Sequence, residues 1–137
     1  MHPNKSVVVE RFKAFFKERN LLQGRFLAAV SGGIDSIVLS ELCKDAGLNF
    51  AIAHCNFQLR GGESERDEQF VRDLGKKLGV EVFVKRFDTA TYAEKKKASI
   101  QEAARDLRYS WFSDLREVHG FSFTLLAHHA TTISKPY

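Results

Sequence analysis

Hydrophobic and polar positions follow two rhythms along this chain. Val8, Val9, Phe12, Phe15, Phe16 and Leu21 recur near helical spacing, with Glu10, Arg11, Lys13, Lys17 and Glu18 on the other face. That predicts an amphipathic helix capped by Asn4 or Ser6 and running to about residue 20. After Gly24, residues 25–30 (RFLAAV) form a short apolar run of the kind found in strands buried on both faces. A helical pattern from about residue 35 to 46 stops at Gly47, and residues 49–54 (NFAIAH) are a second buried strand. Residues 55–63 are polar and contain Gly61-Gly62, so they read as a loop. Ser64 is expected to open the next helix, with Glu65, Asp67 and Glu68 in its first turn, where acids complement the helix dipole. Phe70, Val71, Leu74 and Leu78 are its expected apolar stripe, and Gly79 its end. Residues 80–87 (VEVFVKRF) alternate as a third strand, and Asp88 or Thr89 starts a short polar helix through Lys97. Ser99-Ile100-Gln101-Glu102 reads as a capping box for a helix ending at Gly120. Residues 121–127 (FSFTLLA) are a fourth strand, and residues 128–137 show no periodicity.

The predicted order is α-β-α-β-α-β-α-α-β. Strands alternating with helices imply βαβ units, right-handed crossovers and an α/β fold: a Rossmann-like three-layer α/β/α arrangement around a parallel sheet. Ligands of such sheets bind at the carboxyl ends of the strands, beside the topological switch point. The segments to inspect are therefore residues 31–36, 54–62, 86–91 and 128 onward.

Composition narrows the class. The 137 residues are 44% hydrophobic and 28% charged, which excludes a disordered tail or low-complexity repeat and suits one domain. No apolar stretch approaches the roughly 20 residues of a membrane helix, so no membrane partner is expected. The start of the chain has no apolar core of a signal peptide, which makes the cytoplasm the default. Cys43 and Cys55 form no C-x-x-C pair and are expected to be reduced, packing as small apolar residues. The net charge of +4 is compatible with a nucleic-acid partner without pointing to one.

Ser31-Gly32-Gly33-Ile34-Asp35-Ser36 lies between the first predicted strand and a helix. Two glycines allow a sharp turn and close ligand approach, and the helix start beyond them offers unpaired N–H groups to a phosphate. The Ser31 and Ser36 hydroxyls can add further bonds. Asp35 suits such a site only with a cation, and a carboxylate there can hold Mg²⁺ bridging phosphate oxygens. No Gly-Lys-Ser/Thr follows, so this is not a Walker A loop, nor is it G-x-G-x-x-G. Without further context an ordinary Ser-Gly-Gly turn with a capping Asp remains the alternative.

This Ser-Gly-Gly-x-Asp-Ser motif resembles the PP-loop of the N-type ATP pyrophosphatases, which cleave ATP between the α- and β-phosphates to adenylate a substrate. Further blocks resemble one branch. His54-Cys55-Asn56-Phe57-Gln58-Leu59-Arg60-Gly61-Gly62-Glu63-Ser64, with Asp67 and Phe70, is similar to the His-x-Asn-His-x-Leu-Arg-Gly-x-x-Ser-x-x-Asp block of the tRNA(Ile)-lysidine synthase family. Phe57 stands where that family usually has histidine. Residues 99–109 (SIQEAARDLRY), with Phe112, resemble its Ser-x-Glu-x-Ala-Arg-x-x-Arg-Tyr helix, and Ala127-His128-His129-Ala130 the start of its Ala-His-His-x-Asp-Asp-x-x-Glu-Thr motif. The likeness runs from about residue 26 to 130. Thr131 and Thr132 then stand in the aspartate positions.

The resemblance implies an adenine nucleotide alpha hydrolase-like fold of PP-loop type and an ATP- and Mg²⁺-dependent ligase. It implies attack on C2 of cytidine 34 in the tRNA(Ile) anticodon loop by free L-lysine, with AMP and pyrophosphate released. Ser31, Gly32, Gly33, Ile34, Asp35 and Ser36 would bind polyphosphate, Asp35 would hold the metal, and His54 would lie by the adenosine. Arg60, Arg105 and Arg108 would neutralise phosphate or RNA. On spacing alone, Arg105 and Arg108 share a helical face that also suits salt bridges to Glu102 and Asp106. Arg60 alone suits a loop surface and His54 a strand end. Lys95-Lys96-Lys97 reads as a solvated helix end, and Tyr109 and Trp111 as core rather than a base-stacking platform. The missing aspartates imply an altered end, a truncated chain or a degenerate paralogue, the first two being favoured. The chain is then expected to be the N-terminal catalytic domain of a larger enzyme, incomplete at its C-terminus and able to bind ATP without full activity. The weighed rivals are a tRNA thiolase, which would want the missing C-x-x-C pair, and a non-catalytic nucleotide-binding module.

Overall fold

A computed structural model describes residues 5–128 and 132–133. The elements are α1 (Lys5–Glu18), β1 (Arg25–Ala29), α2 (Ile34–Asp45), β2 (Asn49–Asn56), α3 (Gly62–Leu78), β3 (Val82–Arg86), α4 (Thr89–Lys96), α5 (Ile100–His119), β4 (Phe123–Leu125), β5 (Ala127–His128) and β6 (Thr132–Ile133). The strands β3-β2-β1-β4 form one parallel sheet in that order, and β5 and β6 pair antiparallel. Because β2 and β3 lie on one side of β1 and β4 on the other, chain direction across the sheet reverses between β1 and β4. A crevice at the carboxyl ends of these two strands is where such sheets bind ligands.

Alternation along the strands builds two cores. Phe26, Ala28, Val30, Phe50 and Ile52 face Phe12 and Phe16 of α1, Leu39 and Cys43 of α2, and Val71 and Leu74 of α3. Leu27, Ala51 and Ala53 face the opposite side, against Trp111, Phe112 and Leu115 of α5 and Phe87. Both sides of the sheet are therefore covered, which is why its strands read as continuous apolar runs. Gly75 lets α3 approach β3: a Cβ there would lie 2.0 Å from Val82 Cγ2.

Several boundaries differ from expectation. Helix α1 begins at Lys5, so Ser6 lies within it rather than before it, while Asn4 lies outside the described residues. Helix α3 starts at Gly62, two residues before Ser64, whose hydroxyl instead accepts a hydrogen bond from the Arg60 N–H at 3.1 Å. Phe70 is 49% exposed, whereas Glu68 is buried beside Val71 and Leu74. The stripe was displaced because Glu68, Val71, Gly75 and Leu78 share the inward face, and a carboxylate on it does not register as apolar. Strand β2 runs on to Asn56, into the expected loop. The fourth strand shrinks to three residues because β1 offers only Phe26–Ala28 as parallel partners; Ala127–His128 then turns to pair with Thr132–Ile133.

The capping signals at Asp88 and Ser99 hold. Asp88 accepts from the Thr91 N–H, and Ser99 from the Glu102 N–H at 3.1 Å. The Glu102 carboxylate returns to the Ser99 hydroxyl rather than to its backbone. Trp111 is buried, Tyr109 only partly so, and Lys95, Lys96 and Lys97 are exposed.

Candidate nucleotide site

The loop after β1 is knitted by its two serines. The Ser36 hydroxyl donates to the Gly33 carbonyl at 2.8 Å and accepts from the Ser31 N–H at 3.1 Å; Ser31 Oγ accepts from the Gly33 N–H at 3.2 Å. Gly33 is the N-cap of α2 and brings no side-chain cap, so the first N–H groups of α2 are left to other acceptors. Ile34 is 77% exposed, so it can offer a ligand only its backbone. Gly32 takes φ +98°, and a Cβ on it would meet Asp67 Cβ and Cγ at 3.2 Å. The turn therefore needs glycine both for its backbone and for the close approach of α3.

Two adjoining hollows open at the carboxyl end of the sheet. The larger, about 300 Å³, is bounded by Ser31, His54, Asn56, Leu59, Arg60 and Asp67. The smaller, about 160 Å³, lies on the α5 side at the switch point, where Ser31 and Ser36 meet Arg108, Phe112 and Leu126. Ser31, Cys55 and Phe57 border both. Together they form a bipartite cleft with the serine loop at its centre.

The sequence-derived candidates occupy distinct places in it. His54 is buried, and its Nδ1–H donates to the Val30 carbonyl at 2.7 Å, because a carbonyl only accepts. Arg60 borders the larger hollow but pairs with Asp67 at 2.5 Å and with Glu63 at 3.4 Å. Arg108 reaches the smaller hollow, and its Nε is buried with no hydrogen-bond partner among the described residues. Arg105 is exposed and borders neither hollow; its guanidinium and that of Arg108 flank the Tyr109 ring at 5.3 and 5.4 Å from the centroid. Neither arginine has an ion pair with Glu102 or Asp106 among the described residues. The His129-Ala130-Thr131 segment of the last motif lies outside the described residues.

Asp35 sits in the first turn of α2 with no hydrogen-bond or ion-pair partner among the described residues. Among those residues no group of three or more His, Cys, Asp or Glu side chains could hold a metal. A lone free carboxylate beside a phosphate loop fits Mg²⁺ that arrives with a polyphosphate, since this ion keeps waters and takes one or two carboxylates plus phosphate oxygens. Burial pushes both the Cys43 and Cys55 thiols up to about 12, so both are protonated, free and unreactive near neutrality.

Sequence reasoning treated Glu68 as a first-turn acid, yet it joins α3 to the ends of β2 and β3. Its carboxylate takes Arg86 Nε at 2.9 Å, Arg86 NH2 at 3.0 Å, Arg72 Nε at 3.2 Å and the Asn56 amide at 3.0 Å. The Arg86 guanidinium is the main reason its carboxyl falls from 4.5 to about 2, so it stays ionised despite burial. The legible signal was its spacing of three from Val71, which puts it on the buried face.

The chain belongs to the PP-loop domain family, whose pattern it matches over residues 4–133. Its relatives include proteins named tRNA(Ile)-lysidine synthase. That of Bacteroides thetaiotaomicron is 47% identical over 77% of this chain, and that of Porphyromonas gingivalis (strain ATCC 33277) 42% over 88%. That of Chlorobaculum tepidum is 43% identical over 76% of this chain. These matches cover 25%, 26% and 33% of the relatives' own lengths, so the chain spans between a quarter and a third of them. The fold is shared with the NH3-dependent NAD synthetase of Campylobacter jejuni, at TM-score 0.68 and 20% identity, over 91% of this chain and 56% of that one. It is shared too with the glutamine-dependent NAD+ synthetase of Acinetobacter baumannii, at TM-score 0.61 and 17% identity, over 87% of this chain and 23% of that one. No helix among the described residues is long and apolar enough to cross a membrane.

Proposed function

We propose that this chain is one PP-loop ATP-binding domain, the catalytic part of a longer tRNA(Ile)-lysidine synthase acting in the cytoplasm. The carrying observation is that Ser31, Ser36 in the uncapped first turn of α2, and Arg108, whose buried Nε has no partner among the described residues, border one hollow at the switch point. A hydroxyl pair, a helix start and a guanidinium adjoin there with no carboxylate paired to them among the described residues. Ser31, Gly32, Gly33, Ile34 and Ser36 then hold the polyphosphate through N–H and hydroxyl groups, and Arg108 neutralises charge as pyrophosphate leaves. Asp35 would hold Mg²⁺, which when bound supplies further neutralisation of the phosphates. The larger hollow, with His54 at its wall, takes the adenosine, and Arg60 is within reach of the phosphates once it parts from Asp67. Arg105, on the outer face of α5, is placed for the RNA backbone. The substrates are cytidine 34 of tRNA(Ile), adenylated at C2, and free L-lysine, whose ε-amine displaces AMP. Catalysis is then chiefly positioning and electrostatic stabilisation.

The test is pyrophosphate release from ATP and Mg²⁺ by the protein carrying this domain at its natural length. Release that requires both tRNA(Ile) and lysine is expected. Release that needs neither would contradict the assignment. ATP binding without any release would support a non-catalytic module, the reading that Thr131 and Thr132 in place of two aspartates favours.

A further inference from the structure

Glu68 borders neither hollow, yet its carboxylate is hydrogen-bonded to Asn56, which borders the larger one. Asn56, 2% exposed, is the link: its amide donates to Glu68 Oε1, and its Oδ1 accepts from the Gln58 N–H at 3.0 Å. Gln58 is a non-glycine residue at φ +55°, a conformation that persists only where surroundings over-determine it. The same loop is held from the other side by Gln58 Nε2 donating to the Phe87 carbonyl and Thr89 Oγ1 donating to the Phe57 carbonyl, both at 2.9 Å. It carries Phe57, Leu59 and Arg60 to the cleft wall. Glu68 is fixed in turn by the two-point Arg86 contact, which anchors it to the end of β3.

We propose that Glu68 is a positioning residue for nucleotide binding: through Asn56 it holds Gln58 in its left-handed conformation and so sets the loop after β2 against the ligand. This rests on the ATP-binding reading, and it predicts that a residue remote from the ligand controls affinity. A merely structural Glu68 would affect stability alone.

Glu68→Leu tests it, because leucine continues the apolar face of Val71 and Leu74 while removing the nearer of the two acceptors of the Asn56 amide, leaving only Glu65 Oε1 at 3.4 Å. Two readouts are needed: hydrogen exchange at the Gln58 amide, and the ATP dissociation constant. Loss of one buried hydrogen bond corresponds to about tenfold faster exchange and about tenfold weaker ATP binding. Arg72→Gln is the control, since it removes an ion pair to Glu68 and leaves the Asn56 contact; it is expected to alter neither readout. Glu68→Met, which likewise offers Asn56 no carboxylate and leaves the Asn56–Gln58 bond in place, serves if Glu68→Leu does not fold. Unchanged exchange at Gln58 in the folded variant would overturn the proposal. So would equal acceleration across the chain in Glu68→Leu and Arg72→Gln, which marks a purely structural role. If the unaltered chain binds no ATP, the nucleotide reading fails, and with it the affinity arm; exchange at Gln58 still decides whether Glu68 holds the loop.

Discussion

Gly32→Ala is expected to weaken ATP binding about a hundredfold while lowering the melting temperature by only a few degrees. The backbone at Gly32 has φ +98°, outside the range that an L side chain adopts without strain of about 1–2 kcal/mol. A methyl group there would also press on Asp67 Cβ and Cγ at 3.2 Å, and Asp67 is fixed by Arg60. The cheapest relief is to rotate the loop, which turns the Ile34 N–H at the uncapped start of α2 and the Ser31 hydroxyl away from the phosphate position. Two displaced donors at about 1.5 kcal/mol each amount to roughly a hundredfold in affinity. The core elements do not depend on this loop, so the loss of stability should not exceed the residual strain of about 1–2 kcal/mol. Equilibrium dialysis with labelled ATP measures the effect; an unchanged dissociation constant would remove the loop from the site.

Arg108→Met should separate binding from stability. The guanidinium sits beside Cys55, Phe57, Phe112 and Leu126 with its Nε unsatisfied, an arrangement that works against folding. Methionine fills similar volume without a polar atom, so the variant should be as stable as the parent or more stable by about 1 kcal/mol. A charge-assisted hydrogen bond to phosphate contributes about 1.5–3 kcal/mol, so ATP and pyrophosphate should bind roughly ten- to a hundredfold more weakly. Adenosine, which carries no phosphate, should be unaffected. Stability rising while affinity falls is the signature of a residue kept for its ligand. Equal weakening of adenosine would instead place Arg108 in the general architecture of the cleft.

The main elements were legible because their patterns are local. The run at residues 25–30 and the run at residues 49–54 are apolar on both faces, as strands covered on both sides must be. Ser31–Ser36 was legible because a strand, two glycines and a helix start adjoin in sequence as they do in space. The rest depends on distant partners. That Arg60 is held by Asp67, and Asp67 against Gly32, joins three segments of the chain. The role of Glu68 hangs on Arg86, eighteen residues away, and on Asn56 at the end of a strand. Arg105 and Arg108 looked equivalent by spacing, yet one reaches the cleft and the other the solvent, because α5 packs through Trp111, Phe112 and Leu115. Helical periodicity gives a face but not its height above the sheet.

The central claim is that the hollow between the Ser31–Ser36 loop and Arg108 binds the polyphosphate of ATP. Calorimetric titration of the 137-residue chain with ATP in Mg²⁺, repeated after saturation with pyrophosphate, tests it most directly. The account predicts saturable one-to-one binding that pyrophosphate suppresses. Binding that pyrophosphate leaves untouched, or no binding at all, would contradict it.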